Sequence, residues 1–305
     1  MNTMITGDWH LRFKRPKHRK DLSYFDTQFG KVEWLLNLAA EYDCAFIAQP
    51  GDFFDGADIP YFVVRSYIDL INSYDIPILC TRGQHDLRYH SSNISNTPLA
   101  VMEAAGVVTV VDSPIHYDDV TIYGCPFEGV IPKVEDSNGK NILLIHKMIV
   151  REKIWKDQVD FVYGNKFLEE NPEFNLIVSG DNHESFAFED NDNMLLNCGS
   201  LMRSRIDQRD HRPVCYIYDT ETGLAERHYL EVQHLHKVFN FDNIKREAKI
   251  SKDLELFIHN IEDHIIRGKQ PLNYTARVVK VMEDMGDKLN VNTKAIIREC
   301  LGWQK

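Results

Sequence analysis

The sequence of 305 residues predicts an α/β chain of two packed sheets with helices outside them and a small α+β subdomain at the C-terminus. Three observations carry that expectation. Short apolar runs rich in β-branched residues recur through the first two thirds, and several break at once into a polar, glycine-containing turn. Between the early runs lie helix-like stretches at 24–42 and 61–74, giving a βαβαβ opening that requires parallel strands and right-handed crossovers. After about Gln233 the pattern changes to charged helix-like segments, 252–267 and 293–301, flanking a strand-like 274–281.

In order, the strand-like runs are 4–6, 45–48, 76–80, 107–111, 120–123, 142–145 and 176–178. Those at 194–197, 214–219 and 225–230 suggest a second, more antiparallel sheet. The expected division is one domain over 1–233 and a subdomain over 234–305. An apolar content of 43% suits an ordinary soluble core. No apolar run approaches the roughly 20 residues of a spanning helix, and no signal-peptide pattern precedes the first strand. A cytoplasmic protein without membrane contact is expected, in the host cytoplasm if phage-encoded. The cysteines, Cys44, Cys80, Cys125, Cys198, Cys215 and Cys300, are widely separated and form no C-x-x-C pair, which predicts buried reduced thiols. A formal charge of -11 argues against a protein that coats nucleic acid through its whole surface, while leaving room for local basic patches.

Five segments each join a strand end to a turn with metal-binding side chains: Asp8-Trp9-His10, Gly51-Asp52-Phe53-Phe54-Asp55, Gly83-Gln84-His85-Asp86, His146, and Gly180-Asp181-Asn182-His183. A parallel sheet gathers its strand ends at one edge, so ligands remote in sequence become neighbours. Carboxylates and neutral imidazoles suit Mn²⁺, Fe²⁺ or Zn²⁺, and one carboxylate can bridge two ions about 3.5–4 Å apart in phosphoester hydrolases. The set therefore reads as a two-metal phosphoesterase centre with Asp52 as the bridge. Asp8 and His10 share a face under strict alternation, or a turn re-aims one of them; both arrangements reach one ion. Asp55 is assigned to satisfying backbone amides. His146 becomes a ligand by its position between the third and fifth segments, whereas His18, His90, His116 and His211 read as solvent-exposed.

These motifs resemble the pattern D-x-H, G-D-x-x-D, G-N-H-[DE], H, G-H-x-H of the calcineurin-like metallophosphoesterase superfamily. Within it the chain is most similar to SbcD-type DNA repair nucleases, over roughly residues 1–230 and including the N-x-G-S turn Asn197-Cys198-Gly199-Ser200. The resemblance implies a metallophosphoesterase sandwich and a nuclease with two divalent ions, Mn²⁺ expected and Mg²⁺, Fe²⁺ or Zn²⁺ as alternatives. It puts Asp8, His10, Asp52 and His183 on one ion and Asp52, Gln84, His146 and Asp181 on the other, with His85 as general acid and Asp86 orienting its ring. It also implies a homodimer bound to an SbcC-like, SMC-like ATPase, with the tail beyond Gln233 as the capping or partner-binding region. Two positions depart from the pattern. Gln84 stands for asparagine and Asp181 for histidine, which makes the second position harder and more Mn²⁺- or Mg²⁺-like, or else weakly binding.

Two basic stretches bear on substrate: Arg12, Lys14, Arg15, Lys17, Arg19 and Lys20 directly after the first motif, and Arg203, Arg205, Arg209 and Arg212 after the N-x-G-S turn. Beside a phosphoesterase centre in an acidic chain, they predict contact with a DNA backbone. Phe13 either stacks on an unpaired base or staples the loop to the core. The rival readings are a phosphatase or phosphodiesterase for smaller substrates, and a non-catalytic scaffold with a degraded second site.

Overall fold

The predicted opening forms as β1 (Asn2–Ile5), α1 (Tyr24–Glu41), β2 (Ile47–Gln49), α2 (Tyr61–Ile71) and β3 (Ile78–Cys80), followed by α3 (Pro98–Ala104) and β4 (Val108–Val110). The computed structural model describes residues 1–305 apart from 90, 92, 135–138, 157, 268–273 and 302–305, so His90 lies outside the described residues. β1 to β4 pair parallel in sequence order. Ser23 caps α1 by accepting from the Asp26 amide, and Thr97 caps α3 ahead of Pro98. Alternation along the strands buries both faces of the sheet. Met4, Ile47 and Ile78 pack with Val32, Leu35 and Tyr67 of the helices, while Ile5, Ala48 and Leu79 face the second sheet.

That second sheet is built from β5 (Ile115–Tyr117), β6 (Val120–Cys125), β7 (Lys140–His146), β10 (Leu176–Gly180), β11 (Phe186–Asp190) and β12 (Asn193–Asn197), with β8 (Ile149–Val150), β9 (Val162–Tyr163) and α4 (Gly164–Glu170) between β7 and β10. Its order is β11-β12-β10-β7-β6-β5. The sheets meet across Ile142, Leu144, Leu176 and Val178, and the outer residues Leu143, Ile145 and Ile177 pack with Phe167 of α4.

The expectation for the late strands needs correction. β13 (Val214–Asp219) and β14 (Ala225–Tyr229) belong to the first sheet, ordered β14-β13-β1-β2-β3-β4, with β13 antiparallel to β1. The second sheet is mainly parallel, and among the described residues its antiparallel pairs are β5 with β6 and β11 with β12. β13 buries residues on both faces, Cys215 and Ile217 on one and Val214, Tyr216 and Tyr218 on the other, as a strand covered on two sides must.

The chain divides into two compact units, Met1–Val238 and Phe239–Lys305, the first ending in the short α5 (Leu235–Val238). The second comprises α6 (Phe241–Arg267), α7 (Tyr274–Met285) and α8 (Val291–Cys300). The strand expected at 274–281 is thus a helix, and the subdomain is helical rather than α+β among the described residues. Val278, Val281 and Met285 recur at three- and four-residue spacing and pack with Phe257, Leu289 and Ile297, a period that only a helix puts on one face. The six cysteines are free, five buried and Cys300 exposed. Among the described residues no helix is long and apolar enough to cross a membrane.

Candidate active site

The five motifs meet where the two sheets deliver their strand ends. Asp8 and His10 follow β1, Asp52 follows β2, Gln84 and His85 follow β3, His146 closes β7, and Asp181 and His183 follow β10. Three of these residues, His10, Asp52 and Asp181, have positive φ of 47°, 51° and 76°. Such left-handed backbone costs about 1–3 kcal/mol per residue and persists only where the surroundings over-determine it. The turn after β1 therefore re-aims His10. The His10 amide donates to the Asp52 carbonyl (2.9 Å), and the Gln28 amide donates to the carbonyls of Trp9 and His10 (3.0 Å each).

Asp52 Oδ2 lies 3.4 Å from His146 Nε2 and 3.6 Å from His10 Nε2, while its Oδ1 accepts from the His85 amide at 2.8 Å. His183 Nε2 is 3.0 Å from His10 Nε2 and 3.7 Å from Asp8 Oδ2. Three overlapping groups result, Asp8–His10–His183, His10–Asp52–His85 and Asp8–Asp52–His146, each with donor atoms within 4.8 Å of one another. Asp8 Oδ1, Asp52 Oδ2, Gln84 Oε1 and His146 Nε2 are buried without a hydrogen-bond partner. An unsatisfied buried polar atom costs about 1–3 kcal/mol. Oxygen and imidazole acceptors crowded in this way fit divalent cations.

The tautomer of His146 agrees. Its Nδ1 donates to the Pro50 carbonyl at 2.7 Å, which turns Nε2 towards Asp52. Burial pushes His10 down to about 3 and lowers His183, so both rings are neutral. Burial also opposes protonation of His146, but Asp52, Asp8 and Asp181 together lift it to about 10. Asp52 is opposed by burial yet held below the usual carboxylate range, chiefly by His146 and then by His10. Burial pushes Asp8 well up. A cation between these groups would take over the role of the His146 proton and release it on binding.

Gln84 Nε2 donates to Asp181 Oδ1 at 2.9 Å, and the Asp181 amide donates to Asp8 Oδ2 at 3.0 Å. The two residues that depart from the motif are thus direct neighbours, and Gln84 Oε1 remains as a donor for an ion.

Two expected roles change. Asp86 does not orient the His85 ring: it is buried and accepts from the amides of Gly83, Phe53 and Phe54 at 3.0, 3.3 and 3.1 Å, tying the second motif to the third. The His85 ring, exposed at the surface, sets Nδ1 against the Asp55 carbonyl at 3.1 Å. The Asp55 side chain pairs with Arg12 and lies 3.7 Å from His10 Nδ1 instead of capping amides. Two arginines leave the DNA-contact set. Arg19 is buried between the Asp21 carboxylate and the Arg203 carbonyl, and Arg203 is buried on the carbonyls of Arg209 and Gln233. Lys14, Arg15, Lys17, Lys20 and Arg205 are exposed, and Arg12 is half-buried.

Several supporting contacts escaped sequence reasoning. Asn197 Nδ2 donates to the Asn182 carbonyl (2.7 Å), the Ser200 amide donates to the His183 carbonyl (3.2 Å), and the Asp8 amide donates to the Gly199 carbonyl (3.1 Å), so the N-x-G-S turn positions ligands from both sheets. Gln208 Nε2 lies 2.7 Å from His183 Nδ1. His211, expected in solvent, is half-buried with Nε2 2.7 Å from the Ser200 carbonyl, and burial lowers it to about 4. Gln49 donates to the carbonyls of Gly7 and Gly51; a lone amide at the end of a buried apolar strand was its one visible signal.

The calcineurin-like phosphoesterase pattern matches residues 1–185, a stretch that holds every proposed ligand from Asp8 to His183. None of the curated proteins searched matches the chain. Among solved structures, the crystal structure of TT1561 of Thermus thermophilus is similar, with a TM-score of 0.49 and 10% identity over 75% of this chain and 99% of that one. The family pattern spans more than half of the chain and coincides with the clustered carboxylates and imidazoles, and the protein belongs to the calcineurin-like phosphoesterase family.

Proposed function

We propose that the protein is a Mn²⁺-dependent DNA nuclease of the SbcD type, working as a homodimer with an SbcC-like ATPase in DNA repair, recombination or phage DNA processing. The observation that carries the choice of DNA is the row of exposed cations, Lys14, Arg15, Lys17 and Lys20, directly after Asp8 and His10 in a chain of net charge -11. Phe13 supports either of its expected uses: it is 47% exposed and meets the Phe62 ring edge-on at 5.0 Å. The helical second unit is the candidate partner-binding region.

Asp8, His10, Asp52 and His183 would hold one ion, and Asp52, Gln84, His146 and Asp181 the other. Bound divalent ions supply an activated water and neutralise the charge that develops on the phosphoryl group. The Asp55 carbonyl fixes His85 through Nδ1, so Nε2 is the nitrogen that hands a proton to the leaving oxygen. The exposure of that ring lets it meet a polymer without unfolding the site. Gln208 and Pro50 hold the rings of His183 and His146, which keeps the ligand geometry fixed during turnover.

The test is Mn²⁺-dependent degradation of end-labelled single- and double-stranded DNA. Wild type is expected to cleave, Asp52→Ala to lose both metal and activity, and His85→Ala to keep metal while losing roughly 10²–10⁴-fold in turnover. Hydrolysis of small phosphoesters with no cleavage of DNA would replace the nuclease by a small-substrate phosphatase. Full turnover by metal-loaded His85→Ala would remove the acid assignment.

A further inference from the structure

We propose that the cleft beside His183 is a nucleobase subsite, in which an unpaired base stacks on Trp155 with Arg212 and Tyr229 lining the same space. The inference rests on the nuclease reading and adds to it that the scissile phosphate is presented next to a base pulled out of a duplex.

The cleft has a volume of about 890 Å³ and includes Asp181 and His183 in its lining, so whatever fills it reaches the metal centre. That size is ample for a nucleotide. Its apolar wall leaves Ile154, Trp155 and Tyr229 exposed by 43%, 56% and 42%, three large hydrophobic side chains in one concavity. A cluster of this kind marks a ligand site more often than chance exposure. The backbone that carries Trp155 is also held in place. The buried Gln158 accepts from the Ile154 backbone amide through Oε1 at 2.9 Å, and its backbone N–H donates to the Trp155 carbonyl at 3.2 Å.

The chemistry of the lining favours a base over a second phosphate. The Arg212 guanidinium lies 4.1 Å from the Tyr229 ring centroid, a flat cationic surface of the kind that stacks on nucleobases. Asp207 and Asp210 also line the cleft, paired with Arg205 at 3.3 Å and with Arg209 at 3.0 Å, so the space as a whole is not strongly cationic. A planar ligand with a phosphate directed at His183 fits that distribution.

The test is equilibrium binding of fluorescently labelled single-stranded oligonucleotides by the full-length chain without metal, comparing a normal strand with a fully abasic strand of equal length and charge. Wild type is expected to bind the normal strand about tenfold more tightly, since stacking contributes that much per base. Trp155→Ala and Arg212→Ala should each reduce the discrimination several-fold, and Trp155→Phe should retain it, a rescue that a merely structural tryptophan would not show. No discrimination in wild type, or undiminished discrimination in Trp155→Ala, overturns the subsite. Discrimination in binding without cleavage of any DNA under Mn²⁺ would instead retain the subsite and remove the nuclease.

Discussion

Gly83→Ala tests whether Asp52 organises the centre, because its consequence can be worked from geometry. Gly83 has an ordinary φ of -91°, so an alanine there carries no backbone strain. Its Cβ, however, would lie 2.1 Å from Asp52 Oδ1 and 2.4 Å from the Asp52 amide nitrogen. The aspartate has nowhere to go. It is fully buried at φ 51°, and its Oδ1 is committed to the His85 amide at 2.8 Å. Restoring van der Waals contact takes a shift of roughly 1 Å or more, enough to break that bond. Overpacking costs about 1–3 kcal/mol and a hydrogen bond to a charged group about 1.5–3, so the expected destabilisation is roughly 2.5–6 kcal/mol. Because Asp52 belongs to two of the three donor groups, Mn²⁺ affinity should fall at least about tenfold as well. Denaturant unfolding in chelator measures the first effect and calorimetric Mn²⁺ titration the second. Gly30→Ala is the control: it sits in α1 with nothing within 4 Å of its Cβ, and should stabilise by up to about 1 kcal/mol. A Gly83→Ala protein with wild-type unfolding energy and wild-type metal titration would refute the placement of Asp52.

Asp86→Ala orphans the amides of Gly83, Phe53 and Phe54 and should cost about 3–6 kcal/mol in denaturant unfolding; a cost below about 1 kcal/mol would mean that the two loops are held by something else. Lys31 is half-buried beside Arg19 and Arg203, and desolvation first, then those charges, lowers its amine to about 7 from the ordinary 10.5. The unfolded chain therefore binds the extra proton between those values, and the contribution of Lys31 makes stability rise with pH, by up to about 1.4 kcal/mol per pH unit. Lys31→Met should flatten that rise, measured by denaturant midpoints from pH 7 to 10; an unchanged slope would show that another group causes it.

The sequence made the strand-to-turn motifs readable because their chemistry is local: an apolar run, a glycine and an acid or imidazole mark a strand end wherever the strand sits. Sheet membership depends on contacts between distant residues. β13 carries the same alternating apolar pattern that a strand of the second sheet would, and only its antiparallel pairing with β1, Met4 opposite Ile217, decides the matter. The helix at 274–285 was hidden by Val278, Val279 and Val281, whose strand preference yields to packing against Phe257 and Ile297. At the site, the motif residues that the fold gathers were legible while their support was not. Asp86 looks the same in sequence whether it orients an imidazole or collects three amides, and Arg19 looks the same whether it faces phosphate or the interior.

The scaffold reading depended on Gln84 and Asp181 as two separate losses from the second metal position. In the structure they touch, with the Gln84 amide donating to the Asp181 carboxylate at 2.9 Å. Relative to the family pattern, one side chain is a methylene longer and its neighbour exchanges a ring for a shorter carboxylate, so reach gained on one side matches reach given up on the other. The pair also satisfies itself: the Gln84 amide hydrogens have an anionic acceptor, and Gln84 Oε1 is left buried, unpartnered and available. A decayed site would be expected to lose such an atom to a protein donor or to solvent, because leaving it unpaired costs about 1–3 kcal/mol with nothing gained. Together with three left-handed residues held in place around the same centre, that unpaired oxygen argues for a position still shaped around a cation.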